Sequence, residues 1–313
     1  MLFKTLVCLI LIIAVLCRPD ATFGYAYEGL CQWAVKMVPT LFPFMMISSI
    51  MVYSGADLEL GRMLSLLLKR VYKYSACGLY AIFMGFFCGF PMGAKVVSEL
   101  CEKNKLSKEE AVSLLSFCNN IGPAYFLGII IPILHACGYQ STLPFLFGMY
   151  GIPAVYGVVQ SRRFAGSRGA KLPQSLTHES TLPSEQLSLT GCLKRACLEN
   201  TQSIIMLGGY ITFTNAFRIF LDFFKLPDNV KRVASSFIEI MDGVQTVYDS
   251  TLPAHLKALW IMTALCFCGI SCLIQTGSFL EKAGLPLASY IRHRILLTLI
   301  SFSYYSFLIY VVY

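Results

Sequence analysis

Four short stretches of this chain set polar side chains or helix-breaking residues among apolar neighbours, a chemistry suited to holding a small solute rather than to breaking a covalent bond. In Gly89-Phe-Pro-Met-Gly-Ala-Lys95, the amides after Pro91, at Gly93 and Ala94, can open a helix whose positive end faces an anion. Lys95 adds a charge there; its alternative role is a lysine snorkelling to the membrane interface. In Cys118-Asn-Asn-Ile-Gly-Pro123, Asn119 and Asn120 point about 100° apart on a helix, so both face one interior only if the helix unwinds. Gly122 and Pro123 make that easy, and hydrogen bonding between helices is the competing use of two such amides. Glu239-Ile-Met-Asp-Gly243 sets Glu239 and Asp242 three residues apart on one helical face, functional candidates if they lie within a membrane and ordinary loop residues if they lie outside it. In Cys268-Gly-Ile-Ser-Cys-Leu-Ile-Gln275, Ser271 and Gln275 fall at i and i+4 and share a face.

No catalytic constellation competes with these. There is no phosphate-binding loop and no histidine-rich metal spacing, and His135, His178, His255 and His293 all fall away from mid-span positions. Cys266, Cys268 and Cys272 are of a type that binds soft metals, but no histidine or carboxylate accompanies them, which favours small buried residues. The expectation is a protein that is not an enzyme and that needs neither cofactor nor metal.

The elements that must position these residues follow from composition. The chain has 313 residues, 56% hydrophobic and 13% charged, against about a quarter charged in soluble domains, and so belongs in a lipid bilayer. Apolar stretches near the roughly 20 residues of a spanning helix run over Val35 to Gly55, Ala111 to Leu134, Leu143 to Gln160, Thr201 to Leu221, Ala258 to Gly277 and Ile295 to Tyr313. The net charge of +8 sits in short loops, where it sets orientation and argues against a nucleic-acid partner. Arg162, Arg163, Arg168, Lys171, Lys194 and Arg195 place Ser161 to Arg195 in the cytoplasm. Counting back, a full span over Gly78 to Ser98 would strand Arg62, Lys69, Arg70 and Lys73 outside. A re-entrant hairpin turning around Gly85 to Gly93 removes the conflict, and such backbone is tolerated at membrane depth where protein or a cavity covers it. A second hairpin over Ala234 to Tyr248 satisfies the rest. The predicted fold is an all-α polytopic membrane protein, an inverted repeat of span, re-entrant hairpin, span, span, with an extra N-terminal helix. The units are residues 1–24 (that helix, uncleaved in preference to a signal peptide), 25–160, a cytoplasmic linker 161–190, and 191–313. Between the halves only Ser116-Phe-Cys118 and Cys266-Phe-Cys268 look alike.

Gly29-Leu, Trp33, Val38-Pro-Thr-Leu-Phe-Pro-Phe44, Gly89-Phe-Pro-Met-Gly-Ala-Lys95 and Ser116-Phe-Cys-Asn-Asn-Ile-Gly-Pro123 together resemble the YlbJ-type sporulation integral membrane proteins, which contain a nucleoside-recognition, or Gate, domain. Weaker likeness extends to Glu239 to Gly243, Gly269-Ile-Ser271 with Gln275, and Tyr290-Ile-Arg-His-Arg294. The chain departs from that pattern at Asp242, where Asn is more usual, and at Cys268, where a second Gly is. The resemblance implies paired re-entrant elements, similar in outline to concentrative nucleoside carriers, and a role in endospore formation, in the cell or forespore membrane, linked to moving dipicolinate. The expected function is a carrier for a small organic anion or nucleoside-like solute, as a monomer or a homo-oligomer. The alternatives are a non-transporting sporulation scaffold and a nucleoside or ion transporter of the Gate class. A scaffold has no use for Asn119, Asn120 and Gln275 facing one polar cavity.

Overall fold

Apolar runs interrupted by glycine, proline and asparagine give two kinds of helix, long ones and short ones that stop at the interruptions. In the computed structural model, which describes residues 2–167 and 188–313, every regular element is a helix. α1 (Leu2–Cys17) is followed by α2 (Pro19–Ser54), α3 (Ala56–Leu68), α4 (Ala76–Phe87), α5 (Met92–Glu102), α6 (Lys108–Leu115), α7 (Pro123–Ala136) and α8 (Leu143–Gly166). Then come α9 (Leu189–Ala216), α10 (Ile219–Phe223), α11 (Asp228–Ile238), α12 (Ile240–Tyr248), α13 (Ala254–Phe267), α14 (Gly269–Lys282) and α15 (Leu287–Val312). The expected linker falls mostly on residues 168–187, outside the described residues.

Among the described residues, five helical stretches are long and apolar enough to cross a membrane: α2, α8, α9 with α10, α13 with α14, and α15. Each half has the same order of elements: a long helix, a helical hairpin, a helix broken in its middle, and a second long helix. The hairpins are α4–α5 and α11–α12, and the broken helices are α6–α7 and α13–α14. Phe117-Cys118 and Phe267-Cys268, the pairs that look alike in sequence, both stand at these breaks. α2 starts well before Val35 because its polar stretch finds partners inside the protein, with Glu28 paired to Arg218 at 2.9 Å and Trp33 Nε1 donating to the Ile204 carbonyl at 2.8 Å.

Two apolar cores form. One surrounds the first hairpin, with Leu79, Tyr80, Met92, Leu114, Phe117 and Leu280, and the other surrounds α13 and α15, with Phe126, Phe145, Val247, Leu265 and Tyr305. Each broken helix therefore gives one half-helix to each core, and the break is where it passes from one to the other.

The hairpin ends are fixed by specific polar contacts. Ser107 caps α6 through the Glu110 amide at 3.2 Å. In a capping box Glu110 would bond back to the cap residue; here its Oε1 instead accepts the Ser75 amide at 2.7 Å, at the start of α4. Glu110→Ala is expected to lower stability by about 2 kcal/mol, the cost of orphaning a buried donor, in thermal unfolding of the purified protein. Glu110→Gln should recover part of it. In the first turn of α3, Asp57 accepts Lys105 Nζ at both carboxylate oxygens, at 2.7 and 2.8 Å. Burial pushes that carboxyl above the usual carboxylate range, and Lys105 opposes the shift.

Candidate functional site

The first hairpin turns at Gly89, whose φ of +86° is a conformation side chains disfavour, and the Phe90–Pro91 peptide is cis. On either side of the turn, Gly85 and Gly93 lie against the break between α6 and α7, where a Cβ on either residue would run into the Cys118 carbonyl oxygen. A Cβ on Gly89 would come within 2.8 Å of the Gly122 amide nitrogen. The hairpin tip thus fits into the unwound segment, and only glycines allow it. The second hairpin repeats this contact. Its tip, at Glu239, packs on the break at Cys268 and Gly269, both with φ of +76°, and a Cβ on Gly269 would lie 3.0 Å from Ile240 Cγ2.

The two breaks are joined by one side chain of α15. Arg294, 4% exposed, donates Nη1 to the Cys266 carbonyl at 3.1 Å and Nη2 to the Asn119 carbonyl, with Tyr290 Oη at 3.4 Å. Its guanidinium lies 4.9 Å from the centre of the Phe90 ring. Among the described residues no carboxylate pairs with it. The positive charge is offset by carbonyl dipoles, including that of Cys266 at the negative end of α13, and by an aromatic face. A buried cation so compensated is costly within a bilayer, which marks it as a functional candidate.

Asn119 is fully buried; its Nδ2 donates to Tyr290 Oη at 2.9 Å and to Thr276 Oγ1 at 3.3 Å, while its Oδ1 has no partner among the described residues. Asn120 donates to the Phe117 carbonyl at 2.7 Å and, with Phe90, Cys266, Arg294 and Ser301, lines a cavity of about 10 Å³, room for about one water molecule.

The structure brings Pro91, Gly93, Asn119, Asn120 and Gly122 together around this crossing and leaves the other expected residues elsewhere. Ala94 is sealed in the first apolar core. Lys95 is 7% exposed and turns away from the turn, donating to Ser49 Oγ at 3.0 Å and Glu99 Oε2 at 3.2 Å. Glu239 and Asp242 do not share a helical face, because Glu239 has extended backbone (φ −138°) and caps α12 by accepting the Asp242 amide at 2.9 Å. Asp242 is instead paired with Arg218 at 2.5 Å. Ser271 and Gln275 do share a face, but they bond each other at 3.0 Å and do not line the cavity.

Arg294, Tyr290, Thr276 and Phe90 were missed as site residues. With the last span placed from Ile295, Tyr290 and Arg294 read as its flank, whereas the helix begins at Leu287. Their i, i+4 spacing was the available signal.

Broken helices and paired hairpins set among membrane-length apolar helices define a multi-pass, all-helical integral membrane protein. Among known proteins the chain is similar to Sporulation integral membrane protein YlbJ of Bacillus subtilis (strain 168), with 24% identity over 324 residues covering 92% of this chain and 78% of the relative. The YlbJ-type resemblance, read most specifically from stretches of the first half between Gly29 and Pro123, is borne out by a likeness along nearly the whole chain. No protein-family model matches the chain, and no solved structure matches it.

Proposed function

We propose that this protein is a carrier, not an enzyme, for a small organic anion, dipicolinate being the candidate that the YlbJ-type resemblance implies, and that it acts in the cell or forespore membrane during endospore formation. The observation that carries this reading is Arg294, a buried guanidinium with no carboxylate partner among the described residues, held at the crossing of two broken helices beside the open acceptor of Asn119. An anion entering there would take over from the backbone carbonyls that now hold the charge. Half-helix ends near the midplane are where secondary carriers hold their solutes. The recurring order of elements supports two inverted halves, with the Arg162–Arg163 and Lys194–Arg195 ends of α8 and α9 in the cytoplasm. The small cavity fits an occluded state that must open to load.

The test is uptake of labelled dipicolinate, with nucleosides in parallel, into proteoliposomes holding the wild type or the paired Asn119→Ala, Asn120→Ala variant. Saturable uptake that the double variant loses supports a site at the break. No movement of either solute under any imposed ion gradient would retire the carrier in favour of a scaffold.

A further inference from the structure

α2 and α9 run antiparallel, since Gly29 packs on Asn215 near one end and Ser49 Oγ lies 3.4 Å from Asn200 Oδ1 near the other. From Glu28 to Ser49 the helix covers about 30 Å, the depth of a hydrocarbon core. At each end of this pair a charged cluster fastens one hairpin, through a residue that lies about one to two turns beyond the tip.

Where α9 finishes, Arg218, 8% exposed, donates Nη1 both to Asp242 of α12 at 2.5 Å and to Glu28 of α2 at 2.9 Å. Its guanidinium lies over the Tyr25 ring at 4.6 Å, and Tyr25 Oη in turn donates to Asp222 at 3.0 Å. The second hairpin is thereby tied to α2 through the end of α9. At the opposite end, Lys95 of α5 reaches Ser49 of α2, and Glu99 holds both Lys95 and Lys103, at 3.2 and 3.1 Å. Ser49 connects this group to Asn200 of α9, so the first hairpin is tied to the same helix pair at the other face.

We infer that these clusters are two clasps, one at each membrane face, and that releasing either one opens the Arg294 cavity to that face alone. The first hairpin tip lines the cavity through Phe90, and the second backs it at one remove, Ile240 packing on Gly269, three residues from the cavity-lining Cys266. Withdrawing a tip unseals the crossing from its own side. Removing one member of a buried ion pair leaves a charge uncompensated, and water admitted by hairpin withdrawal relieves that cost, so a clasp variant favours the state open at its face. The inference depends on the carrier reading only for what the opening admits.

The native thiol of Cys266, 6% exposed on the cavity wall, provides the probe. The full chain in vesicles of known sidedness is treated with a charged, membrane-impermeant maleimide on one side, and modification of Cys266 is quantified by peptide mass spectrometry. Arg218→Gln should raise the rate by about tenfold, the response to a shift of about 1.4 kcal/mol, from the Arg218 face only. Lys95→Met, which removes the bond to Ser49 and the pair with Glu99, should do so from the opposite face only, while Arg218→Lys stays near wild type. If Arg218→Gln does not fold, the milder Asp242→Asn removes the same pair. Equal labelling from both faces, or none above wild type in folded variants, overturns the clasps. Because no solute is needed, sided labelling without uptake would leave the clasps standing and retire the carrier. Uptake without sided labelling would do the reverse.

Discussion

Arg294→Met is expected to abolish saturable anion uptake while leaving a protein that folds. The substitution removes the guanidinium that bonds the Cys266 and Asn119 carbonyls and stacks on Phe90. Two effects on stability oppose each other: the orphaned carbonyls cost about 1–3 kcal/mol each, and removing a buried cation recovers its desolvation penalty. The net change in melting temperature should be small. For an anion no such cancellation applies, because a charge-assisted hydrogen bond contributes up to about 3 kcal/mol, and its loss weakens binding by about 100-fold. Arg294→Lys keeps the charge, but an ammonium lacks the planar fork that spans two acceptors while stacking on a ring, so uptake should fall between the two. Uptake by Arg294→Met at the wild-type rate would remove the anion from this site.

Gly85→Ala should have the largest effect on folding. The added methyl would occupy the position of the Cys118 carbonyl oxygen, which is backbone and cannot rotate away. The first hairpin would have to withdraw from the break, opening the first apolar core and separating Asn120 from the Gly85 carbonyl it faces at 3.5 Å. A loss above about 4 kcal/mol is expected, read as failure to recover monodisperse protein by size-exclusion chromatography and as loss of the thermal transition. Gly128→Ala is the control, since nothing lies within 4 Å of its Cβ position and alanine favours a helix over glycine by about 1 kcal/mol. A Gly85→Ala protein that melts like the wild type would show that the tip does not fit the break as described.

The features legible in the sequence were those with a strong local cause. Gly-Phe-Pro-Met-Gly in an apolar run announces a turn, Asn-Asn-Ile-Gly-Pro announces unwinding, and lysines and arginines on the wrong side of a full span announce a hairpin. Charge chemistry across the fold was not legible. Glu239 and Asp242 looked like a face because i, i+3 spacing assumes a continuous helix, and the break falls on Glu239 itself. Lys95 looked poised for an anion, yet Ser49 and Glu99, which hold it, come from α2 and from a turn further along α5. Gln275 had a partner four residues away in Ser271 and needed no cavity. Arg294 appeared to flank a span because the apolar pattern starts at Ile295, while its two carbonyl partners come from opposite halves of the chain. Pairing over such distances has no periodicity for a sequence to display.

Counterflow tests the central claim most directly. Proteoliposomes holding the purified protein are loaded with unlabelled dipicolinate and diluted into a trace of the labelled anion. A carrier whose single site is exposed to one face at a time accumulates label transiently above equilibrium, and Arg294→Met should abolish that overshoot. Label that only equilibrates, equally in both proteins, or that never enters, would contradict a carrier built around Arg294.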